Sequence, residues 1–201
     1  MLVALLVFFL SLDASVATRP VSAELLRFGL NPKESKIVTK VADPFGKPVS
    51  GVLRLRHGEA RGDPDRLKET AAVYLTIEAG SYDSGIGARD QDIQEYYLEA
   101  RRYPLIRFDS TAVQKIERHS SPKAPWQMTV EGRLDLHGVQ REVIVPLRLV
   151  YDGNRIVAEG SFRLFLEQFK IAVPRLLFLS AGNEVQVDFR IVGEAKMDRP
   201  K

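Results

Sequence analysis

The strictest constraint on this chain is a period of two. Met128, Val130, Leu134 and Leu136 alternate with Thr129, Glu131, Arg133 and Asp135. A strand sends successive side chains to opposite faces, so this spacing makes one dry face and one wet face. His137-Gly138-Val139-Gln140-Arg141 interrupts the pattern, and Gly138 is free to take the positive φ that a tight hairpin needs. Alternation then resumes. Val143, Val145, Leu147 and Leu149 share one face, and Glu142, Pro146 and Arg148 share the other, where Ile144 is the apolar exception. The expected product is an antiparallel hairpin whose aliphatic face must be covered by something.

The same period recurs along the chain. Leu26, Phe28 and Leu30 form one set, Ile37, Thr39 and Val41 a second, Leu53 and Leu55 a third, and Val73, Leu75, Ile77 and Ala79 a fourth. Ile106, Phe108, Ser110 and Ala112 follow, then Ile156, Ala158, Gly160, Phe162, Leu164 and Leu166, and finally Val185, Val187, Phe189 and Ile191. Turn signals such as Asn31-Pro32 and Asp152-Gly153 separate them. Gly58 to Arg66 reads as a polar loop. Asp90 to Ala100 reads as the one helix, capped by Asp90 or Asp92 and ended by Tyr103-Pro104. Phe169 to Leu179 is apolar and irregular. Roughly eight or more strands with short turns and one inserted helix predict an all-β antiparallel sandwich or barrel.

Composition narrows the classes of function. Lys and Arg number 29 against 26 Asp and Glu, a net charge of +3. No basic run interleaves with aromatics, which argues against nucleic acid as a partner. There is no cysteine, so disulfides and thiolate chemistry are excluded. Residues 1–23 read as a secretory signal peptide, with an apolar run shorter than the ~20 residues of a bilayer span. Cleavage is expected after Ala17 or Ala23. Residues 24–195 would then form the barrel domain and 196–201 a polar tail, in a periplasmic or secreted protein.

A closed barrel of about eight strands has an interior that side chains either fill or leave open for one ligand. The inward Val, Leu, Ile and Phe residues suit both outcomes. An open lumen of this composition would take an apolar chain. No nucleophile elbow, paired-histidine motif, phosphate loop or dinucleotide fingerprint is present. His57, His119 and His137 have no metal-ligand spacing. The sequence therefore points to no catalytic residue, cofactor or metal. An enzyme acting on a lumen-bound lipid would need a polar residue buried in the lining, and none stands out.

Three motifs occur in a particular order. Gly87-Ala88-Arg89-Asp90 leads to Glu95-Tyr96-Tyr97-Leu98-Glu99-Ala100 and Tyr103-Pro104-Leu105-Ile106-Arg107-Phe108. Gly132-Arg133-Leu134-Asp135-Leu136-His137-Gly138-Val139 follows, with Arg141 and Val143 after it. Phe169-Lys170-Ile171 precedes the last strand. Together, over Leu25 to Glu194, they resemble the YceI-like family of bacterial lipocalin-like barrels that bind polyisoprenoids. The resemblance implies an extended antiparallel barrel holding a long isoprenoid or other amphiphilic lipid, outside the cytoplasm. Some relatives accompany membrane cytochromes of the b561 type, and homodimers are common. Two places differ from the family's pattern. Glu34-Ser35 stands where a His-Ser pair is usual, and Leu166-Glu167-Gln168-Phe169-Lys170 stands where Arg-x-Asp-Phe-Gly is usual.

Parity selects the lumen candidates: Leu75, Ile77, Ile106, Phe108, Leu134 and Leu136, then Val145, Phe162, Leu164, Phe169 and Ile171. Arg89, Asp90 and His137 are the head-group candidates. Each has a second, structural reading: Arg89 and Asp90 as a pair with Asp90 capping the helix, and His137 as a turn residue bonded to backbone. Tyr96, Tyr97 and Tyr103 either gate a mouth or clamp the helix to the rim. The ligand classes are a polyisoprenoid, an isoprenoid quinone or a fatty lipid, carried or shielded. The competing reading is a filled barrel whose outer face binds a membrane redox protein.

Overall fold

The computed structural model describes residues 25–118, 124–176 and 179–196. The signal-peptide residues, His119 and the tail beyond Lys196 lie outside them. Eleven strands are β1 (Leu26–Leu30), β2 (Lys36–Ala42), β3 (Pro48–Gly62), β4 (Ala72–Asp83), β5 (Leu105–Glu117), β6 (Trp126–Leu136), β7 (Val139–Tyr151), β8 (Arg155–Phe165), β9 (Arg175–Leu176), β10 (Leu179–Ser180) and β11 (Glu184–Ala195). Strands β2 to β8 pair consecutively, and β11 pairs with both β8 and β2, which closes an antiparallel barrel of eight staves. The all-β barrel expected from the alternation is the fold observed.

One stave is broken. β1 and β2 are each antiparallel to β3 and to β11, so they lie end to end in the same place in the wall. The break is stitched to Val192, which is fully buried. Asn31 donates its N–H to the Val192 carbonyl (2.8 Å), and the Val192 N–H donates to Ser35 Oγ (3.1 Å). The chain leaves the wall for Pro32 to Glu34 without orphaning the backbone of the neighbouring strand.

The hairpin between β6 and β7 is tighter than the sequence suggests. His137 has φ 54° and Gly138 φ 71°, so the loop is these two residues and Val139 is already strand. Two left-handed residues in succession give the turn whose twist matches its strands. On both strands the inward residues are the even-numbered set of β6 and the odd-numbered set of β7, as the alternation requires.

Four expectations need correction. Gly58 to Gly62 belongs to β3 rather than to a loop, and it pairs with both β1 and β4. A short helix, α1 (Leu67–Thr70), follows in the polar stretch. The expected helix from Asp90 to Ala100 is instead α2 (Gly87–Asp92) running into a π turn at Ile93–Tyr97 and ending at Leu98. Asp90 does not cap it: its Oδ1 accepts from the N–H (2.9 Å) and hydroxyl (2.6 Å) of Ser84, tying down the preceding loop. In β5 the register with β6 shifts between Ser110 and Ala112. That bulge turns Ala112 outward and brings Val113 inside, where it is 5% exposed.

Candidate ligand-binding site

The two halves of the barrel interior differ. One end is formed by the β2–β3 and β6–β7 turns, α2 with its π turn, and the segment after β8. Its inward residues Ala79, Ile106, Leu136, Leu164 and Val185 are buried. The other end carries β1, α1, Trp126 and the β7–β8 turn. Here a cavity of about 210 Å³ opens, with walls that are almost wholly apolar.

The cavity is positioned by the strand register. Val73, Leu75 and Ile77 face it from β4, Val130 and Leu134 from β6, and Val187 and Phe189 from β11. Small residues keep it open at Ala60 and Ala158. At the rim Phe28 meets Tyr151 edge to face at 6.0 Å, and Tyr151 lies 6.2 Å from Trp126. The Arg118 guanidinium lies 4.7 Å over the Trp126 ring while bonding the Pro64 carbonyl, so the loop before α1 is fastened to this aromatic group. Leu67 and Ala71 pack against Val113, Met128 and Val130, which makes α1 part of the rim.

Polar side-chain atoms in the lining come from Arg61, Ser110, Trp126 and Tyr151. Ser110 is occupied: the β5 bulge frees the Val73 N–H, which donates to Ser110 Oγ at 2.8 Å. No carboxylate or imidazole lines the cavity, so it offers no general base. Among the described residues no three His, Cys, Asp or Glu side chains converge to hold a metal, and no helix is long and apolar enough to cross a membrane.

A match to the YceI-like domain model covers residues 28–193. The chain belongs to the YceI-like family. Solved structures agree in fold. BcnA of Burkholderia cenocepacia is 20% identical, with 81% of this chain and 98% of that one covered and a TM-score of 0.67. A polyisoprenoid binding domain from Saccharophagus degradans is 17% identical, with 85% and 99% covered and a TM-score of 0.66. The YCEI protein of Campylobacter jejuni is 19% identical, with 75% and 86% covered and a TM-score of 0.55. No curated protein sequence matches the chain.

Within this YceI-like barrel the sequence-selected residues divide into two groups. Leu75, Ile77, Phe108, Leu134, Val145 and Phe162 line the cavity. Ile106, Leu136, Leu164, Phe169 and Ile171 are buried, 1–7% exposed, in the packed half. The motif of the third region thus supplies filling rather than wall.

Arg89, Asp90 and His137 also lie at the packed end, away from the cavity. Asp90 is buried, and the Ser84 hydroxyl, first among its donors, holds its carboxyl below the usual range. Tyr82 beside it is pushed upward by burial and then by the Asp90 charge. His137 is built into the turn. Its Nδ1 is 3.1 Å from the Phe169 carbonyl oxygen and its Nε2 is 3.0 Å from Glu99 Oε1, while the Tyr103 ring lies 4.6 Å away, tilted by 58°. Glu99, His137 and Lys170 are the non-glycine residues with positive φ among the described residues, and all three meet here. Lys170 (φ 57°) stands where the family's pattern has glycine.

Arg141 was not selected from sequence. It faces Leu134 across the β6–β7 ladder, on the inward parity, and its Nε donates to the Gln168 carbonyl at 3.2 Å. A charged residue on an otherwise aliphatic face was the available signal.

Proposed function

We propose that this protein binds the apolar chain of a lipid in the open half of its barrel and leaves the polar head at the rim. The observation that carries this is the near-absence of polar surface in a cavity bounded by a closed wall. By volume the cavity would hold roughly 7 waters at about 30 Å³ each, and a methylene occupies a similar space, so a chain segment of comparable carbon count fits. Each methylene moved from water into such a space gains about 0.8 kcal/mol. A polyisoprenoid, an isoprenoid quinone or a fatty lipid all satisfy this, the longer ones with part of the chain outside. The name of the Saccharophagus degradans relative supports the first class. The function is binding, to carry or to shield the lipid, with no chemical step. An exported protein of this kind would act in the periplasm or beyond, which the reading of residues 1–23 supports.

The test is native mass spectrometry of protein purified without detergent, with the organic extract analysed in parallel. A stoichiometric long-chain lipid is the expected result. An apo mass that added polyprenyl, quinone and fatty lipids all fail to shift would end this reading and turn attention to a protein partner on the outer face.

A further inference from the structure

The boundary between cavity and packed core follows one layer of the barrel. The last inward residues that touch the cavity are Ile77, Phe108, Leu134, Phe162 and Val187. The next inward residues on the same strands are Ala79, Ile106, Leu136, Leu164 and Val185, all buried and none at the cavity. At this end the strand residues are not the whole of the filling. The remaining filling comes from the segment after β8, where Phe169 is 1% exposed and Ile171 3%. Neither belongs to a stave. Both belong to the same continuous apolar cluster as Ile77, Leu134 and Leu164.

This inserted segment is held by its backbone. A 3₁₀ turn over Leu166–Phe169 ends in left-handed Lys170, and the Ile171 N–H returns to the Leu166 carbonyl at 3.1 Å. From outside, His137 bonds the Phe169 carbonyl and Arg141 the Gln168 carbonyl. The Leu166 N–H donates to the Asn183 carbonyl at 2.9 Å, and the Glu167 N–H donates to Asn183 Oδ1 at 3.1 Å. Three separate elements therefore fix its depth in the barrel.

We propose that Phe169 and Ile171, which lie behind the last cavity layer and not in its lining, back a fixed floor that sets the length of apolar chain the lumen accepts. The proposal rests on the lipid-binding reading above and adds to it a specificity determinant. In the wild type, affinity rises about fourfold per added methylene until the chain end reaches the floor, and longer homologues gain nothing more.

The experiment measures binding of straight-chain fatty alcohols of increasing length, by displacement of a fluorescent fatty probe, to wild type and two variants. Phe169→Ala lowers the floor, and its plateau moves to longer chains by several methylenes. Ile77→Phe raises the floor from the wall layer above it, and its plateau moves to shorter chains. Ile77→Phe adds volume beside an existing cavity and so keeps the test available if Phe169→Ala fails to fold. Plateaus at the wild-type length in every variant that folds would overturn the floor while leaving the lumen reading intact. A wild type that binds no alcohol of any length would overturn both.

Discussion

Asp188 carries the clearest electrostatic signature among single residues. It sits on the outer wall of β11, 2.8 Å from the Lys40 ammonium and 2.8 Å from Gln186 Nε2. Lys40 first, then the Gln186 and Ser161 donors, pull its carboxyl down to about 2. A carboxyl depressed in the folded state stabilises the fold above its unfolded value and loses that contribution as pH falls through the folded one. Wild-type stability should therefore decline from about pH 4 toward pH 2, and Asp188→Asn should be flatter across that window in a denaturation series. The pair is partly solvated, so the difference is modest. Equal slopes would show that Lys40 gives Asp188 nothing. Asp188 lies on the polar parity of its strand and could be placed from sequence. Its partner could not, because Lys40 reaches it only through the β2–β11 pairing. The latch at His137 was equally hidden. Its position in a turn was legible, but both of its partners lie more than thirty residues away in the chain.

At the scale of elements, parity was a dependable guide wherever the ladder ran unbroken. β6, β7, β8 and β11 point inward the residues that alternation selected. Parity failed at the β5 bulge, because one extra residue reverses the faces at Ala112 and Val113, until a second shift between Val113 and Lys115 restores them. The helix was misread for a related reason: a π turn replaces the 3.6-residue repeat at Ile93–Tyr97, so Ile93, Tyr97 and Ala100 pack against the core while Tyr96 turns outward. Gly160 is explained by its neighbours. A Cβ there would come within 2.4 Å of the Pro146 carbonyl oxygen and 2.6 Å of Phe189 Cζ. The aromatic ring lies against its cross-strand glycine, Phe189 being paired with Gly160 in register. Backbone cannot yield on one side and the ring borders the cavity on the other. Gly160→Ala should cost about 1–3 kcal/mol. Gly87→Ala, at a site with nothing within 4 Å of the new atom, should stay within about 0.5 kcal/mol. Chemical denaturation of the two side by side checks the contrast, and equal effects would mean that the wall at Gly160 has slack.

For the whole molecule, the question left open by the sequence was whether the barrel is filled or hollow, since the same residues serve both. The structure shows a barrel that is half of each. Length and register set the wall, but the division depends on where the segment after β8 folds inward, and no periodicity encodes that. A half-empty core has an energetic consequence. The lining residues around the cavity lack partners that close packing would give them, so a bound chain acts as part of the core. Binding to the folded state alone then adds stability by mass action, about 2.7 kcal/mol at a hundredfold excess over Kd. For a chain of this size that is a rise in Tm of roughly 5–10 °C. Ala158 lines the mouth half, opposite Leu149 on one side and Ile191 on the other. Ala158→Trp would occupy that space with its own side chain. The variant should melt independently of added fatty alcohol while the wild type shifts upward. It folds into existing space, so its own Tm without ligand should stay close to the wild-type value. A full ligand-induced shift in Ala158→Trp would place the bound chain outside this cavity.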